Sequence, residues 1–93
     1  SKLLSKRERL QQSGRLFVNI QTDLDDLEQI TTLLSRHLPY VELKRMDTLD
    51  QGMDLAFICK ARSLQDLASL KDDIRQLSPA TRLSVVDQPD LIV

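Results

Sequence analysis

Met53, Leu55, Phe57, Cys59 and Ala61 alternate with Asp54, Ala56, Ile58 and Lys60 over nine residues. Side chains two apart share one face of a strand, so this run fixes a half-buried β-strand with its apolar face toward a core. Asp50-Gln51-Gly52 stands just before it as turn chemistry, with Gly52 suited to a left-handed conformation. Tyr40 to Met46 reads as another strand, so the two form an antiparallel hairpin.

The period changes on either side of that hairpin. Leu24, Leu27, Ile30, Leu34 and Leu38 recur at helical spacing, and Pro39 stops the run. Thr22 or Asp23 is expected to cap this helix, with Asp25 and Asp26 loading its first turn where the positive end of the dipole favours anions. A second stripe, Leu67, Leu70, Ile74 and Leu77, follows Ser63-Leu64-Gln65-Asp66, a capping-box pattern with Asp in place of Glu, and closes at Ser78-Pro79. Leu16, Val18 and Ile20 alternate in a first strand, and Arg82 to Val86 reads as a last one.

The order is β-α-β-β-α-β, two strand-helix-strand halves whose right-handed crossovers place both helices on one face of the sheet. The expected fold is α+β, a ferredoxin-like (ACT-like) sandwich with a four-stranded antiparallel sheet, preceded by a short helix. Residues 1–14 form a basic leader, 15–88 the domain and 89–93 an apolar tail. The other sheet face carries Asn19, Gln21, Asp54 and Lys60, but also Phe17, Ala56 and Ile58, a mixture apolar enough to call for a second layer such as another subunit.

Hydrophobic residues make up 41% and charged residues 29% of the 93-residue chain, which excludes disorder. With 3% aromatics, the core must be aliphatic. A single cysteine excludes an internal disulfide and a Cys-based metal cluster within one chain. Residues 1–15 carry a net charge of +4, the remainder −5. An acidic body repels phosphate, so nucleic-acid binding is not expected. No run approaches the ~20 apolar residues of a membrane span. The chain opens Ser1-Lys2-Leu3-Leu4 without a starting Met, as if cut from a longer protein.

Catalytic chemistry has no foothold. Gly14 and Gly52 are the two glycines, and neither opens a helix after a strand, which excludes a phosphate loop. His37, the one histidine, sits in the last turn of its helix and reads as a solvent-facing dipole partner. Cys59 shares the inward set with Leu55 and Phe57 and reads as a buried, inert thiol. The acidic cluster at Asp23, Asp25 and Asp26 reads as helix-start stabilisation, with no metal or cofactor expected. The chain is accordingly expected not to be an enzyme. RNA-recognition domains of this topology stack bases on sheet aromatics, and Phe57, the one aromatic of the third strand, faces inward.

Val41-Glu42-Leu43-Lys44-Arg45-Met46-Asp47, Met53 to Lys60, Ser63 to Leu67 and Leu83 to Val86 together resemble the cytosolic C-terminal ACT-like domain of bacterial multi-spanning membrane proteins. The MgtC/SapB family is one such group, and a related uncharacterised family is a second. The resemblance spans residues 15–88. It implies a cytoplasmic, non-catalytic module for regulation or self-association, tethered just inside the membrane, with a homodimer mate or another protein domain as partner. Lys2, Lys6, Arg7 and Arg9 would then lie near anionic headgroups, each contributing about 1 kcal/mol. The alternative is a metabolite-sensing ACT-like domain of a soluble enzyme or regulator, with its ligand near Thr22, Asp23, Asp25 and Asp26.

Overall fold

The structure, a computed structural model, describes residues 14–87. The expected leader helix, its cations Lys2, Lys6, Arg7 and Arg9, and the apolar tail lie outside the described residues.

The chain runs β1 (Leu16–Thr22), α1 (Leu27–His37), β2 (Tyr40–Thr48), β3 (Met53–Lys60), α2 (Leu64–Leu77) and β4 (Arg82–Asp87). The strands form one sheet of order β2-β3-β1-β4, every neighbouring pair antiparallel. This is the ferredoxin-like arrangement, with both helices on one face.

The core follows from the two periodicities meeting. Leu16, Val18, Ile20 and Thr22 of β1, and Met53, Leu55, Phe57 and Cys59 of β3, are buried in strict alternation. Ile30, Leu33 and Leu34 of α1 and Leu70 and Ile74 of α2 close onto them, with Leu24, Leu67 and Leu77 packed at the margin. Each fully buried Leu, Ile or Phe side chain contributes about 1.5–3 kcal/mol. Half of these, Leu16, Ile20, Leu55 and Phe57, lie on the central strands β1 and β3, and the other half, Ile30, Leu34, Leu70 and Ile74, come from the two helices.

The start of α1 differs from expectation. Asp26 is the N-cap, its Oδ1 accepting from Gln29 N at 3.1 Å, and Glu28 is the acid of the first turn. Thr22 and Asp23 are unavailable as caps because each is engaged with the far loop. Thr22 is the last residue of β1; its Oγ1 accepts from Leu24 N at 3.1 Å and bonds Thr81 Oγ1 at 2.9 Å. The Asp23 carboxylate accepts a short hydrogen bond from Ser78 Oγ. Leu24 reaches the core from the loop, not from the helix.

At α2 the Ser63 hydroxyl accepts from Asp66 N, as a capping box requires. The return bond differs: Asp66 Oδ2 accepts from Arg62 N at 3.0 Å, one residue upstream of the cap. In the hairpin, Leu49 N donates to Gly52 O at 3.0 Å and Gly52 takes φ +94°. Strand β2 is longer than its pattern suggested and contains an irregularity: Leu43 faces Phe57 and Arg45 faces Ala56, leaving Lys44 as an inserted residue.

His37 is not solvent-facing. Its side chain is 16% exposed, and Nε2 lies 2.7 Å from Asp73 Oδ2 across the two helices. A carboxylate can only accept, so Nε2 carries the proton and donates.

Candidate interaction face

The pairing register determines which residues share the sheet face that the helices leave uncovered. Phe17 pairs with Ile58 on one side and Val86 on the other, and Ile58 pairs with Glu42. The next row is Arg45, Ala56, Asn19 and Ser84; the one beyond it is Asp47, Asp54, Gln21 and Arg82. At the opposite end Tyr40 pairs with Lys60.

Phe17, Ala56 and Ile58, expected as an interface, are thus brought together. Phe17 is 42% exposed and Val86 beside it 53%, so Ile58, Phe17 and Val86 make a continuous apolar row across three strands. The sequence reading missed Val86. Its alternation with Arg82 and Ser84 is visible in the chain, but only the pairing of β4 with β1 puts it beside Phe17.

Polar residues frame the row. Asn19 Nδ2 donates to Asp54 Oδ1 and to Leu55 O, each at 2.8 Å. Arg45 Nε donates to Asp47 Oδ2 at 2.8 Å, which stabilises the charged guanidinium. Tyr40 OH donates to Glu42 Oε1 at 2.7 Å. That bond raises the Tyr40 pKa above its ordinary 10.0, since the phenol loses its acceptor on ionising, and it lowers the Glu42 carboxyl, helped by Lys44. Arg15 lies close enough to lower both groups. Lys60 Nζ stands 5.6 Å from the Tyr40 ring centroid, a cation–π distance.

The expected ligand loop has other duties. Thr22 and Asp23 tie β1 to the loop after α2, and Asp26 caps α1. Beside them lies a hollow of about 240 Å³ lined by residues including Gln21, Leu49, Gln51 and Arg82. A larger groove, about 570 Å³, runs between α2 and β4 with Leu67, Ile74, Leu83 and Val85 below and Lys71 and Arg75 at its rim.

Among the described residues no group of three or more His, Cys, Asp or Glu side chains is placed to hold a metal ion. Cys59 is fully buried, and burial pushes its thiol up to about 12. No helix of the described residues is long and apolar enough to cross a membrane.

No protein-family model matches the chain, and no curated protein does. Among solved structures the chain is similar to one described as "De novo designed protein Foldit4", with a TM-score of 0.51 at 10% identity. The match covers 82% of this chain and 96% of the designed one. At that identity the likeness shows the ferredoxin-like fold alone.

Proposed function

We propose that this domain is a non-catalytic module that works by association, with a second copy of itself as partner and the open sheet face as its contact surface. The observation that carries this reading is the Ile58–Phe17–Val86 row. A sheet with one covered face ordinarily turns polar side chains to water on the other. Here two large apolar side chains, Phe17 on a central strand and Val86 on the edge strand β4, stand exposed side by side on that face. Sedimentation of the full chain across a wide concentration range tests it: a mass that rises toward twice the monomer supports the module, and a constant monomer mass overturns it.

The setting we favour is the cytosolic tail of a bacterial membrane protein. Its support is the +4 charge of residues 1–15 set against −5 in the rest, together with the resemblance to membrane-attached ACT-like domains. Fractionating cells that make the native parent decides it, since an integral parent stays with membranes through a high-salt, alkaline wash.

A metabolite-sensing domain is the second reading, favoured by the hollow beside Thr22 and Asp23. A metabolite at 100 times its dissociation constant adds about 2.7 kcal/mol of stability. A thermal-shift panel without any response would leave it unsupported.

A further inference from the structure

The open face carries more information than its apolar row. From start to end, β3 presents Asp54, Ala56, Ile58 and Lys60 on that face: an acid, two apolar residues, a base. Strand β2 presents Tyr40, Glu42, Arg45 and Asp47. Each list is complemented by itself read backwards. Reversed β3 sets Lys60 against Asp54 and Ile58 against Ala56; reversed β2 sets Glu42 against Arg45 and the Tyr40 hydroxyl against Asp47. The face therefore has a basic end, Lys60 with Arg15 near Tyr40, and an end bearing Asp47 and Asp54, with the apolar row between.

Two two-fold axes could stack a second copy on this sheet. An axis along the strands, between β3 and β1, lays Ile58 over the other copy's Phe17. It also sets Lys60 over Arg15 and Glu42 over Val86, which opposes like charges and buries a carboxylate against an apolar side chain. An axis across the strands, level between the Phe17 and Asn19 rows, creates neither fault on β2 and β3; on β1 and β4 it lays Phe17 over the other copy's Asn19 and Val86 over its Ser84, so the apolar row borders polar side chains there. Every charged pair on β2 and β3 then meets its opposite twice, as an isologous contact requires.

We infer that a second copy of this chain docks on the open face about a two-fold axis running across the strands, each copy's Lys60 meeting the other's Asp54 and each Glu42 the other's Arg45. This rests on the proposed self-association and specifies its geometry. Stacked sheets rotate by about 30°. At roughly 10 Å from the axis that displaces residues by about 5 Å, one strand spacing. Where that displacement runs toward β2, Lys60 moves from Asp54 to Asp47, which is also acidic, and the complementarity is kept. Asp54 and Asp47 already bond Asn19 and Arg45, but exposed pairs of this kind are weak and can exchange partners. Four strands about 5 Å apart and roughly 20 Å long offer on the order of 500 Å² per copy, less than the ~800 Å² of a standard interface. The dimer is therefore expected to be reversible at micromolar or higher concentration.

The test uses sedimentation velocity on the full chain and two single variants, Lys60→Glu and Asp54→Lys, with circular dichroism to show that each folds. Each variant alone opposes like charges twice and is expected to be monomeric where the wild type is dimeric. Mixed in equal amounts they are expected to form a heterodimer, because Glu at 60 then meets Lys at 54 while the native Asp54 meets the native Lys60. Phe17→Asp serves as the control for the face itself. Loss of the dimer in Phe17→Asp, with both charge variants still dimeric or their mixture still monomeric, overturns this geometry and leaves self-association standing. A wild type monomeric at all concentrations overturns both.

Discussion

Gly52 is pressed against the backbone at the end of β1: a Cβ built on it would lie 1.8 Å from the Thr22 carbonyl oxygen and 2.6 Å from Asp23 Cα. The hairpin turn therefore docks on the loop that starts α1, and it can do so only without a side chain. Gly14 has nearly the same positive φ, +92° against +94°, but nothing within 4 Å of its Cβ position. Gly52→Ala should cost roughly 3 kcal/mol, from left-handed strain plus overpacking, and Gly14→Ala about 1 kcal/mol from strain alone. Urea unfolding of both variants separates the terms; equal losses would mean that the close approach is not what demands glycine.

The Thr22–Thr81 pair joins the same corner to the start of β4. Both residues are buried, at 3% and 6% exposure, so Thr81→Val should cost about 1–2 kcal/mol by leaving the Thr22 hydroxyl without its partner. Thr22→Val should cost more, since Leu24 N also loses its acceptor. A double-mutant cycle is expected to fall short of additivity by about 1 kcal/mol; strict additivity would refute the bond.

His37 and Asp73 staple the two helices. Asp73→Ala should lower stability by about 1 kcal/mol. Long-range nitrogen–proton NMR should show the ring proton on Nε2 in the wild type and a mixture of tautomers in the variant. An unchanged tautomer would assign the His37 orientation to packing instead.

Cys59 should behave as a core side chain. Its thiol keeps its proton in the folded state to about 12, against a reference of 9.0. Above pH 9 the unfolded chain alone ionises there and so binds fewer protons than the native state, and stability falls by about 1.4 kcal/mol per pH unit through this group. A Cys59→Ala variant should lose that share of the alkaline slope. Ellman's reagent should label the native protein only at the rate of opening, and rapid labelling would place the thiol at the surface.

Tyr40 is the one tyrosine, so tyrosinate absorbance follows it alone. Its titration should lie above 10.0, and Glu42→Gln should bring it down, because Glu42 is the largest cause of the rise. No movement on substitution would show that the 2.7 Å bond does not persist in solution.

Strands β1 and β3 and the stripes of both helices were legible because burial there follows one local period. The beginning of α1 was not: Thr22 and Asp23 were the expected caps and Asp26, expected in the first turn, is the cap. Thr22 and Asp23 are claimed by Thr81 and Ser78, 59 and 55 residues away, and such competition has no local signature. The same holds for His37, whose partner lies 36 residues on. Parity along β1 and β3 placed Phe17, Ala56 and Ile58 on one face. Val86 and the charge pattern of β2 needed the register, because the inserted Lys44 shifts the parity of every later residue in that strand.

That inserted residue has a bearing on how far assembly can go. A nine-residue strand at the rim of a sheet is a template on which further strands can be laid without limit. The kink at Lys44 breaks the run of evenly spaced donors and acceptors and sets a cation in its midst, so ribbon growth along that rim is discouraged. A face that closes on its own likeness stops at two. In the proposed dimer that face is used up by two chains, so the expected product is a reversible pair and not a fibre.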